Sequence, residues 1–491
     1  MSQQKLSRRE LLERSMFATA AAVAAQHANL PVAYSQGVKS PNETIRVAIT
    51  GVNGRGGSHV SELKSRSNTE IAAIIDVDEA VGQRAIAGIE KDTGKRPLFF
   101  TDIRKALEDK SIDAVSVATP NHWHSLAAIW SMQAGKDVYV EKPVSHNVSE
   151  GRRCVQVARK YKKICQTGTQ SRSEKGMREA IEFVRNGGIG EVKLARGLCY
   201  KRRGAIGPRG TYQPPKTLDY DLWSGPAPIK PVTRPKFHYD WHWQWEYGNG
   251  DLGNQGIHQM DIARWGLGVS DLGESVLSYG GRLGYEDAGE TGNTQVCIHR
   301  YGDKRLVFEV RGLETPDLKA PKSDAEGAKV GVIFYGSEGY MVMPSYSSGV
   351  VFDLEGKMVK QFKGGGDHFG NFLAACRSRN HEELNADILE GHLSSALCHL
   401  GNISYRLGEQ LPVKEISKKL EGDAEALETF GRFSEHLVAN KVDLDSKAYF
   451  GLNLTLDGKA EVFTGPHADA ANPMLTREYR KPYVVPAEKD V

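Results

Sequence analysis

Ile45-Arg46-Val47-Ala48-Ile49-Thr50 followed by Gly51-Val52-Asn53-Gly54-Arg55-Gly56-Gly57 is the stretch whose reading decides the fold. The first six residues form a short apolar run and read as a buried strand. The next seven hold four glycines, and a helix reads from Ser58 onward. A strand, a Gly-rich turn and a helix in that order make a dinucleotide-binding turn. The first glycine makes the bend, the second admits the pyrophosphate, and the third lets helix pack on strand. Backbone N–H groups and the helix dipole then hold the phosphates. At that spacing the three positions are Gly51, Asn53 and Gly56. Asn53 replaces the second glycine; asparagine tolerates positive φ better than most residues, and Gly54 and Arg55 adjoin it. A plain strand–helix turn can carry the same glycines, so the context decides.

That context is a βαβ pattern. Glu70–Ile75 reads as a second strand and ends on Asp76, 20 residues after Gly56. An acidic residue there accepts hydrogen bonds from ribose hydroxyls and repels a 2′-phosphate, which favours NAD, while Arg55 leaves NADP open. Strands at Ala114–Ala118, Asp137–Val140 and Ile164–Thr167 alternate with helices at Asp102–Glu108, His124–Ala134 and Val148–Tyr161. Alternation at short spacing implies a parallel, doubly wound sheet. After Gly168 the texture changes. A helix at 176–186 and a strand at 192–200 lead into a Pro- and aromatic-rich stretch, 201–245, and then into runs of strands. Such runs imply a large, mostly antiparallel open sheet flanked by helices. The fold class expected is α/β plus α+β. The expected organisation is an export signal and linker at 1–42, a Rossmann domain at 43–167, a substrate-binding and oligomerisation domain at 168–442, and an extended tail at 443–491.

Composition narrows the partners. The 491 residues carry a net charge of +3 and 25% charged residues, with no basic stripe for a nucleic acid. No stretch of about 20 uninterrupted apolar residues is present, so no membrane anchor is expected. Ser7-Arg8-Arg9 followed by the Ala-rich run Met16–Ala25 has the layout of an export signal and resembles the twin-arginine type. It predicts an exported, periplasmic bacterial protein. The six cysteines form no CxxC pair, which disfavours zinc and redox motifs, and we expect no disulfides.

Three further segments carry chemistry. Thr119-Pro120-Asn121-His122-Trp123-His124 and Glu141-Lys142-Pro143 each leave the carboxyl end of a strand, where open parallel sheets bind ligands. A lysine there can have its pKa lowered and assist proton transfer from a hydroxyl; an exposed loop lysine paired with Glu141 is the plainer alternative. His122 and His124 lack an acidic or Cys partner at ligand spacing, so no metal site is expected. In Asp251–Asp261, Asn254 and His258 lie four apart and share a helix face, with Asp261 three further on and placed to orient His258. A capped helix start with a core histidine is the bland reading of that segment. Trp241-His242-Trp243 alternates aromatic and polar side chains, as for stacking on sugar faces or for a core plug. Gln170 and Arg172 follow the last Rossmann strand and are expected near cofactor and substrate.

Taken together, these segments resemble the glucose-fructose oxidoreductase and inositol dehydrogenase superfamily (Gfo/Idh/MocA) over residues 43–440. The resemblance rests on the Gly-rich turn, on Thr119-Pro120-Asn121 with His124, on Glu141-Lys142-Pro143, and on Gly256, His258 and Asp261. It implies that Lys142 and His258 are an acid–base pair at the carbon being oxidised. It also implies a nicotinamide cofactor that takes the hydride, and a small carbohydrate substrate. The family's usual Asp four residues before the His is Asn254 here, which can hydrogen-bond substrate but cannot act as a base. A homo-oligomer, dimer or tetramer, built through the C-terminal sheet is expected.

An exported dehydrogenase has little free nicotinamide pool to exchange with and should hold its nucleotide tightly. The sequence therefore supports a sugar or polyol oxidoreductase with a retained cofactor. An NAD-dependent glycoside hydrolase that transiently oxidises the sugar is the alternative. A noncatalytic sugar- or nucleotide-binding protein is the third reading.

Overall fold

A computed structural model describes residues 44–322 and 327–491; the expected export signal lies outside the described residues. The first half alternates β1 (Ile45–Thr50), α1 (Arg55–Lys64), β2 (Thr69–Ile75), α2 (Glu79–Thr93), β3 (Leu98–Phe100), α3 (Ile103–Ala106), β4 (Ala114–Val117), α4 (Asn121–Gln133), β5 (Asp137–Val140), α5 (Val148–Lys160) and β6 (Cys165–Thr167). The strands form one parallel sheet in the order β3-β2-β1-β4-β5-β6. The direction of winding reverses between β1 and β4, which opens a crevice at their carboxyl ends. Helices cover both faces, so β4 and β5 are buried at every position. The sequence reading passes over α2 and β3. α2 buries Val81, Ile86 and Ile89 and ends on Gly94 at φ 71°, the left-handed C-cap. β3 has only three residues, too short for a period.

The second half begins with α6 (Lys175–Arg185), β7 (Val192–Cys199), α7 (Tyr220–Ser224), α8 (Gly250–Asn254) and α9 (Gly256–Leu267). Strands follow: β8 (Ser275–Gly281), β9 (Thr294–Tyr301), β10 (Lys304–Arg311), the small pair β11 (Leu318–Lys319) and β12 (Gly327–Ala328), β13 (Val330–Gly336), β14 (Gly339–Met343), β15 (Ser348–Asp353) and β16 (Met358–Lys363). Then come α10 (His368–Ser378), α11 (Ile388–Arg406), β17 (Glu409–Pro412), α12 (Ile416–Lys419), α13 (Ala424–Ala439), β18 (Lys447–Phe450), β19 (Leu454–Asp457) and β20 (Val462–Thr464). The main sheet runs β16-β15-β14-β13-β7-β10-β9-β8-β18-β17. Every pairing on that path is antiparallel except β7 with β10. The expected fold class is the one found.

Two helices of the second half pack against the first domain. Phe369, Phe372 and Leu373 of α10 are buried with Ile49 and Ile74 of the first sheet, and Phe369 stacks on Tyr139 of β5 with ring centroids 4.4 Å apart. Fully burying each such side chain contributes about 1.5–3 kcal/mol. Ile388, the first residue of α11, shares a cluster with Trp123 and Leu126 of α4. The tail beyond Asp443 is not the extended wrap expected. β18 sits inside the large sheet between β8 and β17, and Tyr483 and Val485 complete the α4 cluster. Strands of three or four residues carry too little pattern to be read from sequence. All six cysteines are buried free thiols, and among the described residues no helix is long and apolar enough to cross a membrane.

Candidate active site

The Gly-rich turn lies at the β1–β4 crevice. Gly51 adopts φ 77°, and a Cβ there would lie 2.8 Å from the Ala118 carbonyl oxygen of the neighbouring β4 loop. A Cβ on Gly56 would lie 1.8 Å from the Gly51 carbonyl oxygen. Both positions therefore require glycine. The left-handed backbone expected of Asn53 falls instead on Gly54, at φ 86°, and Asn53 is exposed. Gly54 caps α1, whose first turn carries no acidic side chain and no side-chain cap, as an anion-binding helix start requires. Asp76 is buried at the mouth. Its carboxylate accepts from the Val52 and Asp78 N–H groups, both at 2.9 Å, and burial raises its pKa.

A cleft opens from this turn and is lined by Gly51, Asn53, Asp76, Thr119 and Pro120. The Thr119 hydroxyl in that lining, and the Asn121 side-chain oxygen at the start of α4, are buried without a hydrogen-bond partner among the described residues. Orphaned polar groups of that kind require explanation, and a dinucleotide lying across the crevice supplies one. The glycine cradle, the unpaired polar atoms and Asp76 together fit NAD. Because α4 starts at Asn121 rather than His124, His122 and His124 lie on its first turn. His124 is not free to meet a cofactor. Its ring nitrogens sit 2.6 Å from the Pro143 carbonyl and 2.7 Å from the Thr119 carbonyl, tying the two loops together.

Glu141 is the buried hub of the second loop. It accepts from Arg55 Nε at 2.8 Å, His59 Nε2 at 3.0 Å and Gln170 Nε2 at 3.4 Å. Burial alone would push its pKa up; the His59 hydrogen bond and the Arg55 guanidinium override that and hold it well below the carboxylate range. Gln170 also donates to the Tyr139 hydroxyl at 3.1 Å. Glu141, Arg55 and Gln170 thus form one cluster beneath Lys142. The Lys142 ammonium points the other way and donates to the Asn254 carbonyl at 2.7 Å. Burial lowers its pKa, opposed by Glu141 and reinforced by Arg55.

Asn254 and His258 do not share a continuous helix. α8 ends at Asn254 and α9 begins at Gly256, with Gln255 between them. The break places the Asn254 carbonyl at a helix end, where it needs an outside donor. Among the described residues His258 makes no side-chain hydrogen bond, and its ring lies 4.9 Å from that of Tyr346. Burial and then the Lys142 charge pull its pKa down to about 3, so the imidazole is neutral at ordinary pH.

Several substrate expectations are corrected. Asp261 does not orient His258. It is held by Arg172, whose Nε and Nη2 reach it at 2.8–3.0 Å, and by the Ser394 hydroxyl at 2.7 Å. Arg172 also reaches Glu390 at 2.8 Å and packs over the Trp265 ring. Arg264 also reaches Glu390 and Asp261, so two guanidiniums and two carboxylates neutralise one another. Trp243 lies beneath Arg203, which clamps Asp251 through two bonds of 2.6 and 2.9 Å. Trp241 lines the nucleotide cleft. His242 stacks on Trp241 at 3.6 Å, and burial brings its pKa to about 3. Sequence reasoning missed Arg203, Tyr346 and the cleft-lining Leu218 and Trp223. The aromatic excess of 201–245 was the only signal for the three that lie in that stretch, and Tyr346 had none.

Residues 45–169 match the Gfo/Idh/MocA oxidoreductase-family profile described as an NAD-binding Rossmann fold. Residues 208–291 match that family's C-terminal alpha/beta domain. The first sheet is therefore an NAD-binding Rossmann domain. A glycosyl hydrolase family 109 protein of Shewanella sp. strain W3-18-1 is 32% identical over 154 residues, covering 30% of this chain and 34% of that protein. An alpha-N-acetylgalactosaminidase of Shewanella oneidensis matches with the same identity and coverage. The chain thus spans about a third of the length of these curated relatives. Among solved structures, the WlbA dehydrogenase of Bordetella pertussis, in complex with NADH and UDP-GlcNAcA, superposes with a TM-score of 0.54 at 21% identity, covering 74% of this chain and 97% of that one. An oxidoreductase of Thermotoga maritima gives 0.54 at 16% identity, covering 73% and 96%. These two likenesses are of fold.

Proposed function

We propose that this protein oxidises or reduces a hydroxyl-bearing carbon of a sugar or polyol with tightly held NAD, and that Lys142 and His258 handle the proton. The observation that carries this reading is the Lys142 ammonium, fixed on the Asn254 carbonyl beside a His258 ring that has no hydrogen-bond partner among the described residues. Bound NAD supplies the hydride acceptor. The hydroxyl proton goes to Lys142, whose burial enlarges its neutral fraction. Neutral His258 holds the same oxygen and fixes the reacting carbon. Asn254 offers its amide to a neighbouring hydroxyl and takes no proton. Asp76 favours NAD over NADP because a 2′-phosphate would meet a buried carboxylate.

If the chain is exported, as Ser7–Arg9 and Met16–Ala25 imply, retained NAD must be regenerated on a second substrate or within one redox-neutral cycle. The family 109 relatives favour the second route as an alternative, in which the sugar is transiently oxidised, the aglycone is eliminated and the sugar is reduced again.

Nucleotide content of the purified protein, followed by a screen of free sugars and aryl glycosides, tests the proposal. Sugar-dependent reduction of bound NAD is expected, and Lys142→Ala should abolish turnover while NAD stays bound. Aglycone release without net reduction would favour the glycosidase route. A protein indifferent to NAD would overturn both and leave the binding-protein reading.

A further inference from the structure

We propose that residues 217–241 are part of the cofactor site: a strap that closes the adenosine end of the cleft, latches on Asp78 and sets the rate at which NAD leaves. The inference rests on the cofactor reading above and adds a wall that the Rossmann domain does not contain. Val77, Asp78 and Glu79 follow directly on Asp76, and the strap is bonded to all three. Asp219 N–H donates to the Val77 carbonyl at 2.9 Å, and Glu79 N–H donates to the Thr217 carbonyl at 3.0 Å. The buried Asp78 carboxylate accepts from the Thr217 hydroxyl at 2.7 Å and from His238 Nε2 at 3.0 Å.

The far side of the strap is tied down as well. Trp123 Nε1 donates to the Trp223 carbonyl at 3.0 Å. Arg480, from the C-terminal tail, donates to the Gly225 carbonyl at 3.0 Å and to Asp221 at 2.6 Å. Between these anchors Leu218, Trp223, His238 and Trp241 line the same cleft as Gly51 and Asp76. A ribose held by Asp76 would lie against this wall, so lifting the strap and breaking the Asp78 bonds would widen its way out. Hydrogen bonds to a charged group are stronger than neutral ones. Thr217 and His238 are therefore positioning residues for the nucleotide.

The test loads full-length protein with labelled NAD and, separately, with labelled ADP-ribose, and follows release during a chase with unlabelled ligand. His238→Ala and Thr217→Val should each speed release of both ligands by about tenfold, and the double variant by more, with the melting temperature little changed. Should His238→Ala fail to fold, Thr217→Val, which removes a single hydroxyl bond, carries the test. Release from the wild type as fast as from these variants would overturn the strap. ADP-ribose has no nicotinamide, so this arm answers independently of hydride transfer. Slow ADP-ribose release with no sugar oxidation would sink the oxidoreductase reading and leave the strap standing. Failure to bind either ligand would overturn both.

Discussion

Lys142 is anchored to Asn254 through a main-chain carbonyl, 2.7 Å from its ammonium, while the Asn254 side-chain oxygen is more distant at 3.5 Å. The position of the lysine thus depends on where α8 ends rather than on which side chain occupies 254. The side chain at 254 is left free to tune charge.

Asn254→Asp separates those two roles. A carboxylate beside the ammonium favours the charged lysine and raises its pKa. If neutral Lys142 is the proton acceptor, the ascending limb of the kcat/KM–pH profile moves to higher pH in the variant. NAD affinity should stay within about threefold, because the anchoring carbonyl is unchanged. A limb that does not move would remove Lys142 from the role of base.

The two glycines of the phosphate turn predict unequal penalties. Gly56→Ala drives a Cβ to 1.8 Å from a backbone oxygen, which cannot rotate away, so the turn must open. NAD affinity should fall by roughly 100-fold, about 2.7 kcal/mol, alongside a lower melting temperature. Gly54→Ala meets nothing within 4 Å but forces alanine to φ 86°, a backbone strain of about 1–3 kcal/mol. Its stability should fall while most nucleotide binding survives. Calorimetric titration with NAD on both variants checks the ranking.

The parallel sheet was legible because β4 and β5 are buried on both faces and β1 nearly so, which makes each strand mostly apolar, interrupted only by Arg46 and Thr50 in β1, Ser116 in β4 and Asp137 in β5. Gly51 and Gly56 were legible for a related reason, since close backbone approaches leave no other residue type. The helix break at Gln255 was not. Asp251–Asp261 keeps helical spacing throughout, and what interrupts it is decided by packing. The Arg172–Asp261 pair joins residues 89 apart in sequence, so an apparent substrate arginine became a buried ion pair through a contact that local pattern does not carry. The destination of Trp223 and His238 has the same origin: their composition was visible, and the cleft they cover was not.

Arg172 gives that distinction a measurable form. It is 7% exposed and faces Asp261 at 1%, and removing one partner of a buried pair costs about 3–5 kcal/mol. Arg172→Met should lower stability by that order while leaving the KM for the sugar unchanged in the folded fraction. The double variant with Asp261→Leu should recover part of the loss. A raised KM at unchanged stability would return Arg172 to the substrate site.

Acid stability follows from buried histidines. Burial pulls His122, His299 and His399 each down to about 3. An unfolded histidine takes its proton near pH 6.5 and the folded ring refuses it, so each contributes stability that is complete above about 6.5 and is lost as pH falls toward 3. The maximum slope is about 1.4 kcal/mol per pH unit for each ring. Glu150 acts oppositely. Burial raises it to about 7, so the folded protein keeps a proton that the unfolded chain gives up above about 4.5, and acidification over that range adds stability. His242 and His258, also at about 3, act in the same sense, so the rings outweigh the one raised carboxyl and stability falls as pH drops from 6 to 5. Urea midpoints should therefore fall across that window, and Glu150→Gln, which removes the opposing group, should steepen the fall. Midpoints that stay level from pH 7 to 5 would mean that these imidazoles are protonated in the folded protein.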